Sequence, residues 1–181
     1  MGLPWSSRSS APSGPARRST LHTPAAIRRA IRPGRTALPA ALAPRAGEVL
    51  WDLGAGSGSI SVEWCLAAPG AGAHAVESRA GRLSNIRANA AGFGIGHRLS
   101  VHDGDWPALI GALPRPDAVF VGGGLDADHL AALWAVLPEG NRLVVNTVTI
   151  GTEALVADWH ARHGGTLSRF DIAEAAPLGR M

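Results

Sequence analysis

Val49-Leu50-Trp51-Asp52-Leu53-Gly54-Ala55-Gly56-Ser57-Gly58-Ser59 is the stretch that decides how this chain folds. A β-favouring run leads into three glycines on alternate positions, and a helical pattern opens at Ser59. A strand therefore passes into a helix through almost bare backbone. Glycine suits that turn because it takes positive φ without strain and lets a ligand approach the peptide groups. The opening helix turns its unpaired N–H groups and positive end toward the loop, where they favour a carboxylate or phosphate. A glycine loop alone is a weak signal, so its spacing has to decide. A nicotinamide-dinucleotide fingerprint reads G-x-G-x-x-G, whereas this loop reads G-x-G-x-G with Asp52 two residues ahead. The departure favours a ligand smaller than a dinucleotide.

Outward from the loop, short β-rich runs alternate with amphipathic helices, the pattern of a mostly parallel sheet with helices on both faces. The expected strands are Glu48 to Leu53, Ala73 to Val76, Arg98 to His102, Ala118 to Val121, Arg142 to Val148 and Thr166 to Ile172. Helical spacing links Leu83, Ile86 and Ala90, then Leu130, Leu133, Trp134 and Leu137. A further helix from Thr152 to His163 is expected to bury Leu155 and Trp159 and to stop at Gly164-Gly165. Residues 24 to 43 read as two helical pieces divided at Pro33-Gly34, the second closed by Pro44.

The chain has 181 residues and 46% hydrophobic content, enough for one domain and too short for two. Its net charge of +3 is uneven. Residues 1–45 carry eight Arg and no acid, while the remainder carries nine Arg against fourteen acids. Residues 1–20, rich in Ser, Pro and Arg, are expected to form a disordered arm ahead of a domain spanning 21–181. Such an arm suits an acidic partner, an organellar transit peptide or simply an untethered terminus, and no function is assigned to it. One cysteine, Cys65, excludes an intramolecular disulfide and a Cys-based zinc cluster. No apolar run is long enough to span a bilayer and no secretory signal opens the chain, so a cytoplasmic setting is expected.

Several other residues are discounted. His160 and His163 share a helix face, but basic residues before Gly164 are ordinary chemistry for a helix C-terminus, so no metal site is expected. Cys65 reads as a small core residue, and His74 and His102 as structural. Ser57 lies in a G-x-S-x-G string whose other glycines fit nucleotide binding better than a nucleophile elbow.

Asp52-x-Gly54-x-Gly56-x-Gly58 resembles the first motif of class I, Rossmann-like methyltransferases dependent on S-adenosyl-L-methionine. The resemblance implies that Gly54, Ala55, Gly56, Ser57 and Gly58 back the cofactor and that Asp52 orients its ammonium group, directly or through water. Glu77, about 20 residues beyond the loop at a strand end, is placed to accept both hydroxyls of a ribose. Asp105 and Trp106 stand where this fold places groups that meet adenine, although Asp105 reads equally well as a helix N-cap. Val119 to Gly124 lacks the Asn/Asp-Pro-Pro-aromatic motif of methyltransferases acting on nucleic-acid bases, which disfavours RNA or DNA as substrate. A planar substrate would find little side chain at this edge.

Thr23-Pro24, the loop, Val119 to Gly124, Asn146-Thr147-Val148-Thr149 and Pro177 to Met181 together resemble the C-terminal domain of precorrin-6Y C5,15-methyltransferase and the stand-alone decarboxylating carbon-15 methyltransferases. The resemblance implies methyl transfer to carbon 15 of a precorrin-type tetrapyrrole, with loss of carbon dioxide from the ring C acetate, in cobalamin biosynthesis. It adds Thr23 to the cofactor contacts and implies a homo-tetramer and a carbon-5 methyltransferase partner. A polycarboxylate substrate calls for cations at the rim, and Arg28, Arg29 and Arg35 are the candidates, with Asn146 and Thr147. No residue stands out as a catalytic base. The alternatives are a methyltransferase for another small molecule or RNA, and a remnant that binds cofactor without turnover. The fold normally inserts a seventh, antiparallel strand; the sequence stops at Met181 after the sixth, so a C-terminally truncated sheet of six strands is expected.

Overall fold

β1, Val49–Leu53, has every residue but the first buried, because it is the middle strand of a parallel sheet. The computed structural model describes residues 37–168, with side chains from residue 40. Its elements run α1 (Ala37–Leu42), β1, α2 (Ser59–Ala67), β2 (Gly72–Glu77), α3 (Ala80–Gly92), β3 (Leu99–Asp103), the short α4 (Trp106–Leu109), β4 (Ala118–Val121), α5 (Ala127–Val136), β5 (Arg142–Val145) and α6 (Ile150–His163). All pairings are parallel and the order is β3-β2-β1-β4-β5. The expected doubly wound α/β architecture is present. Chain direction across the sheet reverses between β1 and β4, so the loops leaving those two strands part and open a crevice at their carboxyl ends.

Alternation along β1 sorts the core into two layers. Leu50 packs with Ile60, Trp64, Leu83 and Ile86 under α2 and α3, while Trp51 and Leu53 pack with Trp106, Val119 and Leu133 under α4 and α5. Asp52 shares the side of Leu50 and therefore points at α2. The amino ends of the strands are pinned by polar contacts. Val49 N–H donates to Asp117 Oδ2 at 2.8 Å, Trp51 Nε1–H to the Pro114 carbonyl at 2.8 Å, and Arg142 bridges Glu48 and the Leu42 carbonyl.

At the end of α2 Arg98 donates to the carbonyls of Cys65, in the last turn, and of Ala68 and Ala71 just beyond it. Cys65, Ala68 and Arg98 edge a shallow hollow of about 540 Å³ at the amino end of the sheet, opposite the crevice. Cys65 is buried in the core as expected, and burial pushes its thiol up to about 11 against the nearby Arg98, which disfavours the reactive thiolate.

His74 on β2 and His102 on β3 lie across the ladder with ring nitrogens 2.9 Å apart and stacked rings. Burial, together with the neighbouring His102 charge in the case of His74, holds both below the ordinary 6.5. The folded protein therefore prefers them neutral, and the unfolded chain binds more protons. Their contribution is complete above pH 6.5 and is lost as pH falls toward the depressed folded values. Thermal melts of the wild type should fall more steeply below pH 6.5 than those of a His74→Gln variant; parallel curves would show that the pair carries no linkage.

Four expectations are corrected. β5 stops at Val145, not Val148, because its partner β4 ends at Val121; the last ladder bond is Asn146 N–H to the Val121 carbonyl at 3.0 Å. The strand expected from Thr166 is absent as far as Ser168, and residues 169–172 lie outside the described ones, so the described sheet has five strands, not six. α6 begins at Ile150, capped by Thr149, and buries none of its residues; Leu155 and Trp159 are half-buried. With β5 the outermost described strand, no further strand among the described residues extends the sheet beneath that helix. Trp134, expected in the core, is 45% exposed and meets Trp159 edge-on at 5.8 Å.

Candidate functional site

The crevice is a cleft of about 180 Å³ whose floor is backbone. Gly54 after β1 and Gly122-Gly123-Gly124 after β4 approach so closely that a Cβ on Gly54 would lie 2.8 Å from the Gly123 carbonyl oxygen. A Cβ on Gly122 would in turn lie 3.0 Å from the Gly54 carbonyl oxygen. Gly54, Gly56 and Gly58 all have positive φ, as the alternate spacing demands. Gly54 and Ala55 both donate to the Val76 carbonyl at 3.0 Å, tying the loop to β2.

Glu77 closes the other wall. Its side chain is 4% exposed. Oε1 accepts from the Ser78 and Arg79 N–H groups at 3.1 Å each, and Oε2 accepts from Gly56 N–H at 2.9 Å and the Arg82 guanidinium at 3.3 Å. The acid thus fixes the loop and its own strand end together. Three of its four donors are backbone; Arg82, with a side chain 44% exposed, is the one free to move. A vicinal diol that replaced Arg82 would meet a preorganised anionic acceptor.

Asp105 and Trp106 form the third side. Asp105 occupies the N-cap position of α4, but its side chain makes no capping bond, and no hydrogen bond to its exposed carboxylate is found among the described residues. Trp106 is buried, donates from Nε1 to the Gly123 carbonyl at 3.2 Å and turns its ring edge-on to His129 at 5.4 Å.

Asp52 lies elsewhere. It is 0% exposed and its Oδ2 accepts the Ser61 N–H at 3.1 Å and the Ser61 hydroxyl at 2.6 Å. Strand alternation turns it under the loop, where it anchors the first turn of α2 and does not line the cleft. Ser57 is braced through its carbonyl by Asn89 of α3 at 2.9 Å. Asn146 and Thr147 follow β5 beside the Gly122 turn without lining the cleft. Thr23, Arg28, Arg29 and Arg35 lie outside the described residues.

A family model described as the precorrin methyltransferase domain matches residues 27–181. The chain belongs to the precorrin methyltransferase domain family. It is 49% identical over 142 residues to a precorrin-6Y C(5,15)-methyltransferase (decarboxylating) of Sinorhizobium, covering 78% of this chain and 34% of that protein. A probable cobalt-precorrin-6B C(15)-methyltransferase (decarboxylating) of Pyrobaculum aerophilum is 32% identical over 133 residues, covering 71% of this chain and 65% of that protein. Among solved structures, the C-terminal domain of precorrin-6Y C5,15-methyltransferase from Rhodobacter capsulatus is 51% identical with a TM-score of 0.78, covering 82% of this chain and 80% of that one. The chain thus spans about a third of the length of its C(5,15) relatives. The fold is the Rossmann-like methyltransferase fold.

In this precorrin methyltransferase domain two site residues escape a reading by motif. Asn89 reaches the loop from a helix 32 positions away, which no local signal discloses. His129 sits three residues after Asp126 at the start of α5; the Asp-x-x-His spacing was visible but reads as an ordinary helix cap. No group of three or more His, Cys, Asp or Glu among the described residues is placed to hold a metal.

Proposed function

We propose that this domain binds S-adenosylmethionine in the Gly54–Glu77 cleft and methylates carbon 15 of a precorrin-type tetrapyrrole, with loss of carbon dioxide from the ring C acetate, as a step in cobalamin biosynthesis. One observation carries the reading. The chain aligns with enzymes named for carbons 5 and 15 and with others named for carbon 15 alone, and the activity common to both is the decarboxylating carbon-15 reaction.

The residues fit the cofactor. Bare backbone at Gly54 and Gly56 leaves room that any Cβ-bearing residue with positive φ would strain. The Glu77 carboxylate accepts the ribose hydroxyls as Arg82 withdraws, and the unbonded Asp105 carboxylate accepts from the adenine amine. Asp52, through Ser61, keeps the first turn of α2 aimed at the loop. When bound, S-adenosylmethionine supplies an electrophilic methyl group. The three glycines after β4 let a planar macrocycle lie against backbone, so that holding carbon and methyl in line provides much of the acceleration. Thr23 completes the cofactor contacts, and Arg28, Arg29 and Arg35 with Asn146 and Thr147 bind the substrate carboxylates.

Residues 21–181 form this catalytic domain, with 1–20 as an arm. The domain associates into homo-oligomers, tetramers by family resemblance; the outer edge of β5, unpaired among the described residues, and the exposed Trp134 and Val136 support association. A carbon-5 methyltransferase partner supplies the other reaction named in the longer relatives. No described helix is long and apolar enough to cross a membrane, which is compatible with a cytoplasmic setting.

The test is incubation with methyl-labelled S-adenosylmethionine and either a precorrin-6B-type substrate or total RNA. The expected product is a macrocycle that has gained one methyl group and lost one carbon dioxide. Labelled RNA beside an unchanged macrocycle would overturn the reading, and cofactor binding without turnover of either would leave a binding domain only.

A further inference from the structure

We infer that His129 is the proton-transfer residue of the decarboxylation half of this reaction, a role that rests on the reading above. The chemistry demands such a group. Methylation leaves positive charge on the macrocycle. Breaking the bond between the acetate methylene and its carboxylate releases carbon dioxide, and the electron pair left behind neutralises that charge as an exocyclic carbon–carbon double bond. Converting the exocyclic methylene to a ring methyl then requires one proton added at that carbon and one removed from the macrocycle. The net change is an isomerisation, and a single group that gives the first proton and takes the second balances it.

His129 is built for this. It lies at the start of α5 beside the glycine turn that floors the cleft, its Nδ1 3.1 Å from the Gly124 carbonyl oxygen and 3.1 Å from Asp126 Oδ2. Both neighbours, a backbone carbonyl and a carboxylate oxygen, act as acceptors, which places a hydrogen on Nδ1 whether the ring is neutral or charged. Protonation and deprotonation are therefore assigned to Nε2, the arrangement that lets a histidine alternate between acid and base. Asp126 is held in turn by the His129 N–H, which donates to its Oδ1 at 2.8 Å. Of the elements packed here, α4 contributes the uncharged edge of Trp106 and the turn contributes the Gly124 carbonyl, so Asp126 is the charged neighbour recorded among the described residues. The histidine side chain is 36% exposed, open to a large substrate but outside the nucleoside cleft.

A His129→Asn variant separates this role from a bracing one, because the Asn amide retains a donor near Nδ1 and cannot titrate. Expected results are unchanged affinity for S-adenosylhomocysteine, methyl transfer and carbon dioxide release that still proceed, and conversion of the decarboxylated exocyclic methylene to the ring methyl about 100-fold slower. The pH dependence of that step should also be lost. Wild-type rates and pH profile in the variant would overturn the assignment, as would loss of S-adenosylhomocysteine binding, which marks a structural brace. Absence of methyl transfer by the wild type would instead sink the parent reading and this one with it.

Discussion

A Glu77→Gln variant is expected to bind S-adenosylhomocysteine about 100-fold more weakly than the wild type, a loss of ~3 kcal/mol. The side chain is 4% exposed and both of its oxygens already accept from two N–H groups. Whichever way a glutamine amide lies, its NH2 faces a pair of donors: Ser78 with Arg79, or Gly56 with Arg82. Part-buried donors are then left facing donors, at ~1–3 kcal/mol for a group left unsatisfied away from water. The ligand's diol also loses a charged acceptor. Titration calorimetry with S-adenosylhomocysteine reads the change, and an affinity within about threefold of wild type would show that Glu77 does not meet the ligand. Arg82→Met provides the contrast: it removes the donor that competes for Oε2 and should leave affinity equal or higher.

Much of this site was legible in the sequence for an identifiable reason. Gly54, Gly56 and Gly58 take positive φ, and Glu77 ends the neighbouring strand, because both features depend on local backbone and on one strand pairing. What the sequence concealed depends on contacts between distant segments. Asp52 reads as a ligand-facing acid beside the loop, yet two-residue alternation along β1 puts it on the face of Leu50, toward Ser61. The approach of Gly54 to Gly123 joins positions far apart in sequence, so three consecutive glycines look like a floppy turn until β1 and β4 are known to be neighbours.

The same logic explains the misjudged edge. Helical spacing in α6 marks Leu155 and Trp159 as apolar-facing, which is correct, but spacing carries no information on whether a neighbour exists to cover them. Among the described residues β5 has no outer partner, and the stripe ends in a surface cluster where Trp159 stacks on His163 at 4.4 Å. A periodic pattern specifies the face a helix wants to bury; the sheet order decides whether it is buried.

Gly54→Ala should be the most damaging added methyl among the described glycines, and a comparison with Gly56→Ala isolates why. Both residues sit at positive φ, +69 and +63, where a Cβ costs ~1–2 kcal/mol. At Gly56 nothing lies within 4 Å of the added carbon, so that cost is the whole effect on folding. At Gly54 the carbon would meet the Gly123 carbonyl oxygen at 2.8 Å and the Gly123 nitrogen at 3.0 Å. Both are backbone atoms, with no side chain to rotate away, so relief requires moving the turn after β4 off the loop after β1. Overpacking of this kind costs a further ~1–3 kcal/mol. That movement also disturbs the Trp106 bond to Gly123 and the position of His129 on Gly124. Urea unfolding should therefore place Gly54→Ala ~2–5 kcal/mol below wild type and clearly below Gly56→Ala, with S-adenosylhomocysteine binding lost. Equal stabilities for the two variants would mean that the β1 and β4 turns do not touch in solution, and the cleft floor on which the methyl-transfer reading depends would not exist.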